Sequence, residues 1–329
     1  MIKLISPRTL RKLGILGMNR RNVGYIGRYN PRKNFRLVDN KLFTKTAALD
    51  LGIPTPELYG VIDHQFQVKR MVAELLDRES FVMKPVQGSG GKGILVIVGR
   101  QGNDFLKPSG AVVGIDGLQR HASNILAGLH SLGGRNDQAM IEALLDFDPM
   151  MAQYSHEGVP DIRVIVFRGV PVMAMIRCAT HASDGKANLH QGAVGVGIDI
   201  GSGASVAAVQ NGKLVTRHPD TGASFEKLKL PHWQKILELA SGCADMCGLG
   251  YLGADIVLDR QHGPMLLELN ARPGLSIQVA NQEGLIKRLQ IANEIADQAA
   301  DAAERISMAR HEFNVANMVP LAEQAAALS

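Results

Sequence analysis

The run Val82-Met-Lys-Pro-Val-Gln-Gly-Ser-Gly-Gly-Lys-Gly-Ile94 constrains this chain more than any other segment. It contains the spacing G-x-G-x-x-G, which alone is a weak signal. A Walker phosphate loop is excluded: no glycine stands five positions before Gly91-Lys92, and Gly93 occupies the place of the required Ser or Thr. A dinucleotide-binding turn needs a helix after its glycines, whereas Ile94–Val98 is β-branched and reads as a strand. What remains is strand, glycine loop, strand. Such a flap can fold over phosphates with backbone N–H groups as donors. Gly88, Ser89, Gly90, Gly91, Lys92 and Gly93 would form the loop, and Lys84 stands on the incoming strand within reach of a phosphate. The plain alternative is a glycine-rich hairpin carrying a solvated lysine.

A second constellation lies near the C-terminal end. Glu268-Leu-Asn270 closes an apolar strand, so Glu268 and Asn270 share a face. Asp255 lies in the preceding strand, and a loop at Asp259–Gly263 puts it opposite or nearly opposite Glu268. Facing carboxylates repel. A hard divalent cation removes that conflict, and Asp, Glu and Asn oxygens suit Mg²⁺ bound with nucleotide phosphates. Ordinary acids on a half-exposed strand are the alternative. Arg163, in Asp161-Ile-Arg163, and Arg177 lie on the two strands of one hairpin, a pairing suited to phosphate or carboxylate. Solvent-facing charges would give the same pattern. Asn188 and His190 fall in a long polar, glycine-rich stretch over 179–205. A stretch of that length is unusual in a compact domain unless it is functional.

Composition bounds the class. With 46% hydrophobic and 20% charged residues, the chain is not broadly disordered. Its apolar runs are strand-sized, far short of the roughly 18 residues of a membrane helix. Three cysteines cannot build a disulfide framework and point to a reducing compartment, read as the cytoplasm. Cys243 and Cys247 lie on one helix face; they read as small buried residues, with a metal pair as the alternative. The net charge of +5 is unevenly placed: residues 1–45 carry twelve basic residues and one acid, while the remainder is net acidic. Such a basic arm attracts phosphates of a nucleotide, nucleic acid or membrane surface. It also fits an organelle transit peptide, but serine is scarce and a folded-looking segment follows at once.

Along the chain, helices are expected near Pro7–Leu16, from Asp39 (as cap) to Gly52, at Met71–Leu76, Leu118–Leu132 and His232–Leu249, and as one long helix over Leu285–Arg310. Strands are expected at Val61–Val68, Phe81–Pro85, Ile94–Val98 and Gln138–Leu145. Hairpins are expected at Asp161–Phe167 with Val170–Ile176, at Ala204–Gln210 with Lys213–Arg217, and at Ala254–Leu258 with Pro264–Asn270. Residues 100–117 read as loop. Helices and antiparallel hairpins mix without a βαβ alternation, so the fold class is α+β.

The ordered set Asp39-Asn-Lys41, Gly52-Ile-Pro, Lys84 with Gly88–Gly93, Ile141-Glu142-Ala-Leu-Leu145, Asp161-Ile-Arg163, Asn188-Leu-His190, Asp255 and Glu268-Leu-Asn-Ala-Arg-Pro-Gly274 resembles the ATP-grasp superfamily. Within it the chain resembles the ribosomal-protein glutamate-ligase branch, particularly its alpha-L-glutamate ligase-related members, over about residues 38–290. The resemblance implies two α+β lobes clasping ATP: a basic arm over 1–38, a first lobe over 39–137, a second over 138–290, and a C-terminal helix and tail over 291–329. Relatives carry a Rossmann-like domain before the Asp39 helix; here only a basic, glycine-broken stretch of 38 residues stands there. Arg272 replaces the small residue expected after Asn-Ala.

The activity implied is that of a Mg-ATP-dependent, ADP-producing carboxylate–amine ligase working through an acyl phosphate on an amino acid or peptide. ATP and Mg²⁺, with Mn²⁺ as a substitute, are the implied cofactors. Lys41, Lys84 and Gly88–Gly93 would contact ATP, Glu142, Ala143, Leu144 and Leu145 would face adenine, and Asp146 or Asp148 would lie near the ribose. Asp255, Glu268 and Asn270 would hold Mg²⁺. Arg163, Arg177, Asn188 and His190 would face the transferred phosphate or the acceptor carboxylate. Two alternatives stay open: a phosphotransferase using the same ATP site, and a nucleotide-responsive binding protein whose basic arm docks on an anionic partner.

Overall fold

The computed structural model describes residues 6–88 and 90–317. Ser89, the first five residues of the arm and the tail after 317 lie outside the described residues. Two compact units emerge. The smaller comprises Asp39–Thr46 and Thr55–Asp146; the larger takes the arm through Val38, Ala47–Pro54 and the chain from Phe147 onward. The smaller unit runs to Asp146, and strand Ala139–Glu142 is an interior strand of its main sheet.

In the smaller unit β1 (Leu58–Ile62), β2 (Phe81–Pro85), β3 (Leu95–Ile97) and β7 (Ala139–Glu142) form a sheet in the order β1-β7-β2-β3. Between β3 and β7 come β4 (Gly99–Gln101), β5 (Asp104–Leu106) and β6 (Val112–Val113), a small second sheet where the sequence reads as loop. Phe105 explains it: this buried ring packs edge-on against Phe81 at 5.5 Å and carries the Arg100 guanidinium over its face at 4.4 Å. Helix Ile115–Leu126 buries Leu118, Ala122 and Ile125, a single stripe at helical spacing.

The larger unit is built on seven strands: β8 (Asp161–Phe167), β9 (Val170–Cys178), β10 (Val194–Ile198), β11 (Ser205–Gln210), β12 (Lys213–Leu214), β13 (Tyr251–Asp259) and β14 (Gly263–Asn270). Their order is β12-β11-β10-β9-β8-β13-β14. All pairings between these strands in both units are antiparallel, so the α+β class holds. The polar stretch after Cys178 hides β10, a Val-Gly-Val-Gly run. A Cβ at Gly197 would meet Ala280 O at 2.5 Å, and one at Gly195 would meet Leu189 at 2.6 Å. Those glycines therefore serve close packing, although in sequence they read as loop. The expected long helix is two, Leu285–Gln298 and Ala302–Glu312. Asp301 Oδ1 accepts the Glu304 amide (2.8 Å) and Glu304 Oε2 accepts the Ala300 amide (2.7 Å), which starts a new helix. Cys178, Cys243 and Cys247 are buried free thiols, and burial raises Cys247 to about 11. No helix among the described residues is long and apolar enough to cross a membrane.

From Ser6 onward the basic arm is folded. Leu16, Ile26 and Val38 enter the larger unit's core. Asn30 donates Nδ2–H to Tyr251 O (2.7 Å) and accepts the Tyr251 amide at Oδ1 (2.8 Å), both buried. Arg21 donates to Pro273 O at 2.8 Å, and Arg272 stacks on Phe35 at 4.5 Å. Thus Arg272, unexpected in sequence, has a partner in the arm. Replacing Asn30 by Ala leaves two buried backbone groups of β13 without partners. Denaturant unfolding should show a loss of about 1–3 kcal/mol, whereas exposed Arg11→Ala should leave stability unchanged.

Candidate functional site

In the smaller unit, two buried lysines converge on one buried carboxylate. Lys84 projects from β2 and Glu142 from β7, neighbouring strands of the sheet. The Lys84 ammonium donates to Glu142 Oε1, and Lys45 Nζ lies 3.1 Å from Oε2. Lys45 comes from helix Lys41–Asp50 and also donates to Pro56 O. Burial pushes the Lys45 ammonium below its ordinary value, with Glu142 partly opposing. Burial by itself would raise Glu142, but Lys84 and Lys45 outweigh it and hold the carboxyl below its usual range. Two ammonium groups against one carboxylate leave a positive charge in a desolvated place, a setting that attracts a phosphate oxygen.

The glycine loop borders this cluster in sequence. Lys41 Nζ donates to Gly88 O at 2.7 Å, and Asp137 accepts the Gln87 amide at 3.0 Å. Gly90, Gly91 and Gly93 have φ of +63°, +75° and +75°, conformations that glycine adopts without strain. Gly93 also sits against the His130 ring, where a Cβ would come within 2.4 Å. Lys92 is exposed at the tip. The loop therefore has two anchored ends and an open crest. Ala143, Leu144 and Leu145 follow β7 outside any strand, and the Glu142 side chain is engaged with the two lysines.

In the larger unit, strand register builds a second charged cluster. Asp255 lies opposite Glu268 on β14 and opposite Arg163 on β8. The pairing of β13 and β14 shifts just after Asp255, so Leu267 is an extra residue there. Such a bulge re-aims the side chains around it. Arg163 grips Asp255 with two bonds, Nε to Oδ1 at 2.7 Å and Nη2 to Oδ2 at 2.6 Å. Arg177 Nη2 reaches Asp255 Oδ2 at 2.8 Å while its guanidinium also clamps Asp161 bidentately. Asn270 Nδ2 donates to Asp255 Oδ2 at 3.1 Å. Glu268 and Asn270 are both half-buried, separated by buried Leu269, and so share one face. Burial would raise Asp255, but Arg163 and Arg177 hold it low; burial together with Asp255 pushes Asp161 up to about 6.

The structure thus brings together Arg163, Arg177, Asp255 and Asn270, with Glu268 directly across the register. No group of three or more His, Cys, Asp or Glu able to hold a metal occurs among the described residues. The candidate donors here are two carboxylates and an amide: Asn270 spends its Nδ2 on Asp255, which leaves Oδ1 as a third oxygen. That donor set fits a hard cation. Asn188 and His190 lie between β9 and β10. Asn188 Oδ1 accepts the His190 amide at 3.0 Å, capping a short turn, and the His190 side chain is exposed. Asp148 caps helix Pro149–Ala152 by accepting the Met150 amide at 2.9 Å.

Two participants escaped the sequence reading: Lys45 and, as a group in its own right, Asp161. Lys45 had a signal, since Thr44, Lys45 and Ala48 make up the buried stripe of their helix and a lysine there requires an anion. Asp161 precedes Arg163 by two, so both point to one face of β8, and its register partner is Arg177.

A family model described as "Sugar-transfer associated ATP-grasp" matches residues 20–294. A search of curated proteins by sequence found no match. Solved structures with similarity include the ATP-grasp ligase PsnB complexed with minimal precursor, at 14% identity and a TM-score of 0.46 over 85% of this chain and 63% of that one. The D-cycloserine synthetase DcsG shows 13% identity and a TM-score of 0.47 over 86% and 73%. A Chryseobacterium gregarium RiPP-associated ATP-grasp ligase with ADP and a leader and core peptide shows 14% and 0.45 over 86% and 68%. This chain spans 63% and 61% of the length of the two PsnB structures that head the comparison.

Neutralising Glu142 strands two buried ammonium groups. Glu142→Gln should lower unfolding free energy by about 3–5 kcal/mol, read by urea unfolding. The pH dependence has a definite sign. A carboxyl held below its ordinary value of 4.5 stabilises the fold above that pH. The stabilisation fades as pH falls through the depressed value, and Glu142→Gln should remove this acid-range component.

Proposed function

The chain belongs to the sugar-transfer associated ATP-grasp family, and on that premise we propose that it is a Mg-ATP-dependent carboxylate–amine ligase. The observation that carries this reading is the Asp255 cluster, where two arginines and three oxygen-bearing side chains share adjoining strands. Activating a carboxylate with ATP brings two anions together, and such chemistry is driven by positioned positive charge. A substrate carboxylate oxygen attacks the γ-phosphorus, the bond to the bridging oxygen breaks and ADP leaves. An amine nitrogen then attacks the acyl carbon of the acyl phosphate, loses a proton, and inorganic phosphate departs.

In this reading Lys45 and Lys84 neutralise phosphate oxygens, and Lys41 braces the flap at Gly88. The crest from Gly90 to Gly93 covers the phosphates and keeps water from the acyl phosphate. Asp255, Glu268 and Asn270 hold Mg²⁺, or Mn²⁺ in its place. When bound, the ion supplies charge neutralisation and polarises the transferred phosphoryl group. Arg163 and Arg177, fixed by Asp255 and Asp161, face the phosphoryl group or the substrate carboxylate. Their rigidity favours transition-state stabilisation, since the dipoles need no reorganisation. Motif order from Asp39 to Gly274 supports kinship with the glutamate-ligase branch and an amino acid or peptide as substrate. Three free buried thiols support a reducing, cytoplasmic setting.

The test is an ADP-release screen of amino-acid and peptide pairs, glutamate included, with mass spectrometry of the product. The expected result is ADP release that requires both a carboxylate and an amine, with a product lighter by one water than its parts. Phosphorylated product without an amine would replace ligation by phosphoryl transfer. Lys84→Ala should weaken ATP binding or abolish turnover; a folded Lys84→Ala protein with unaltered ATP affinity and turnover would remove Lys84 from the site.

A further inference from the structure

A groove of about 700 Å³ lies in the larger unit, lined by residues of the arm and of helix Leu285–Gln298. Its walls contain none of the charged residues assigned to ATP, metal or carboxylate above. Arg20 and Arg28 come from the arm, Lys287 from the opposite helix, and Glu294 is the one acidic lining residue. The formal charge of the lining is therefore +2. Among the described residues neither Arg20 nor Lys287 makes a hydrogen bond or ion pair, so their charge is available to a ligand. Tyr25 and Tyr29 line the groove as well, packed on Phe167 at 5.5 and 4.9 Å.

Two local features keep this groove open. The arm helix over Met18–Tyr29 contains a π-helical turn at Arg21–Ile26, with the Gly27 amide bonded to Asn22 O five residues back. Wide turns of this kind are uncommon and occur frequently at functional sites. Gly24 lies inside it and lines the groove. Its φ is not positive, and a Cβ there would meet nothing nearer than Arg20 Cγ at 3.9 Å. Neither backbone conformation nor packing calls for glycine, although glycine in a helix costs about 0.5–1 kcal/mol relative to alanine. What the missing side chain leaves is space between Arg20 and Arg28, one helical turn away on each side.

We propose that this groove binds a phosphate ester, the dianion set among Arg20, Arg28 and Lys287 and the ester's apolar or ring-shaped body on the tyrosine side. A phosphate monoester carries nearly two negative charges at neutral pH, matching the lining, and arginine forks suit its oxygens. The inference does not rest on the ligase reading, because the groove shares no charged residue with that site. The same chemistry can come from a soluble ester or from a lipid headgroup, and the experiment separates them.

Calorimetry of the full chain with phenyl phosphate, at saturating Mg-ATP, is compared with benzyl alcohol. In parallel the protein is sedimented with phosphatidic acid or phosphatidylcholine vesicles. The variants are Arg20→Gln with Lys287→Gln, and Gly24→Leu, each also measured for nucleotide binding, so that failure of the ligase reading is seen separately. Phenyl phosphate is expected to bind the wild type, the alcohol not to bind, and the double variant to bind at least about tenfold more weakly. Gly24→Leu should block binding with nucleotide affinity unchanged. Should Gly24→Leu not fold, the two surface Gln substitutions still decide the matter. Retention on phosphatidic acid vesicles through Arg20 and Lys287 assigns the phosphate to a lipid; phenyl phosphate binding without retention assigns it to a soluble ester. Binding of neither probe, or binding undiminished in the double variant, overturns the proposal.

Discussion

Asp255 is where strand register becomes chemistry. It stands between Arg163 on one neighbouring strand and Glu268 on the other, and its own strand is buried along its length. A buried carboxylate survives only when paired, because leaving it alone costs several kcal/mol. Here the pairing is doubled: Arg163 and Arg177 both bond it, and Asp161 holds Arg177 from behind. The network fixes four side chains across β9, β8 and β13, with the extra residue Leu267 adjusting β14 beside them. A one-residue slip would turn the whole set to the opposite face, so the fold of the sheet and the geometry of the site are one constraint.

The smaller unit solves the inverse problem. There a single carboxylate, Glu142, satisfies two buried lysines and leaves a surplus of positive charge. A surplus of that kind suits phosphate oxygens, the role proposed above for Lys45 and Lys84. The larger unit's cluster instead joins two arginines, Arg163 and Arg177, to the carboxylates of Asp161 and Asp255.

Much of this was legible in the sequence, and the reasons are specific. The β13–β14 hairpin follows from two apolar runs and a short polar loop, and from it the confrontation of Asp255 with Glu268. The flap follows from β-branched residues after the glycines. Lys45 was not legible as a partner, because its carboxylate is almost a hundred residues away and only the sheet order β1-β7-β2 brings Glu142 beside Lys84. Strand β10 was hidden because glycine chosen for close packing looks the same in sequence as glycine chosen for a turn. The arm's basic charge and a helix near Pro7–Leu16 were legible, but its few anchors, Leu16, Ile26, Asn30 and Val38, find their partners only in the distant core.

The Asp255–Glu268 face is proposed to hold a divalent cation together with nucleotide. Mn²⁺ paramagnetic resonance, titrated into the protein with a non-hydrolysable ATP analogue, reads that site without depending on turnover or on the identity of the substrates. Bound Mn²⁺ is expected in the wild type, with a large loss of it in Glu268→Gln and unfolding free energy little changed. Mn²⁺ binding equally tight in a folded Glu268→Gln protein would contradict it, because a ligand that contributes charge to the ion cannot be neutralised without consequence.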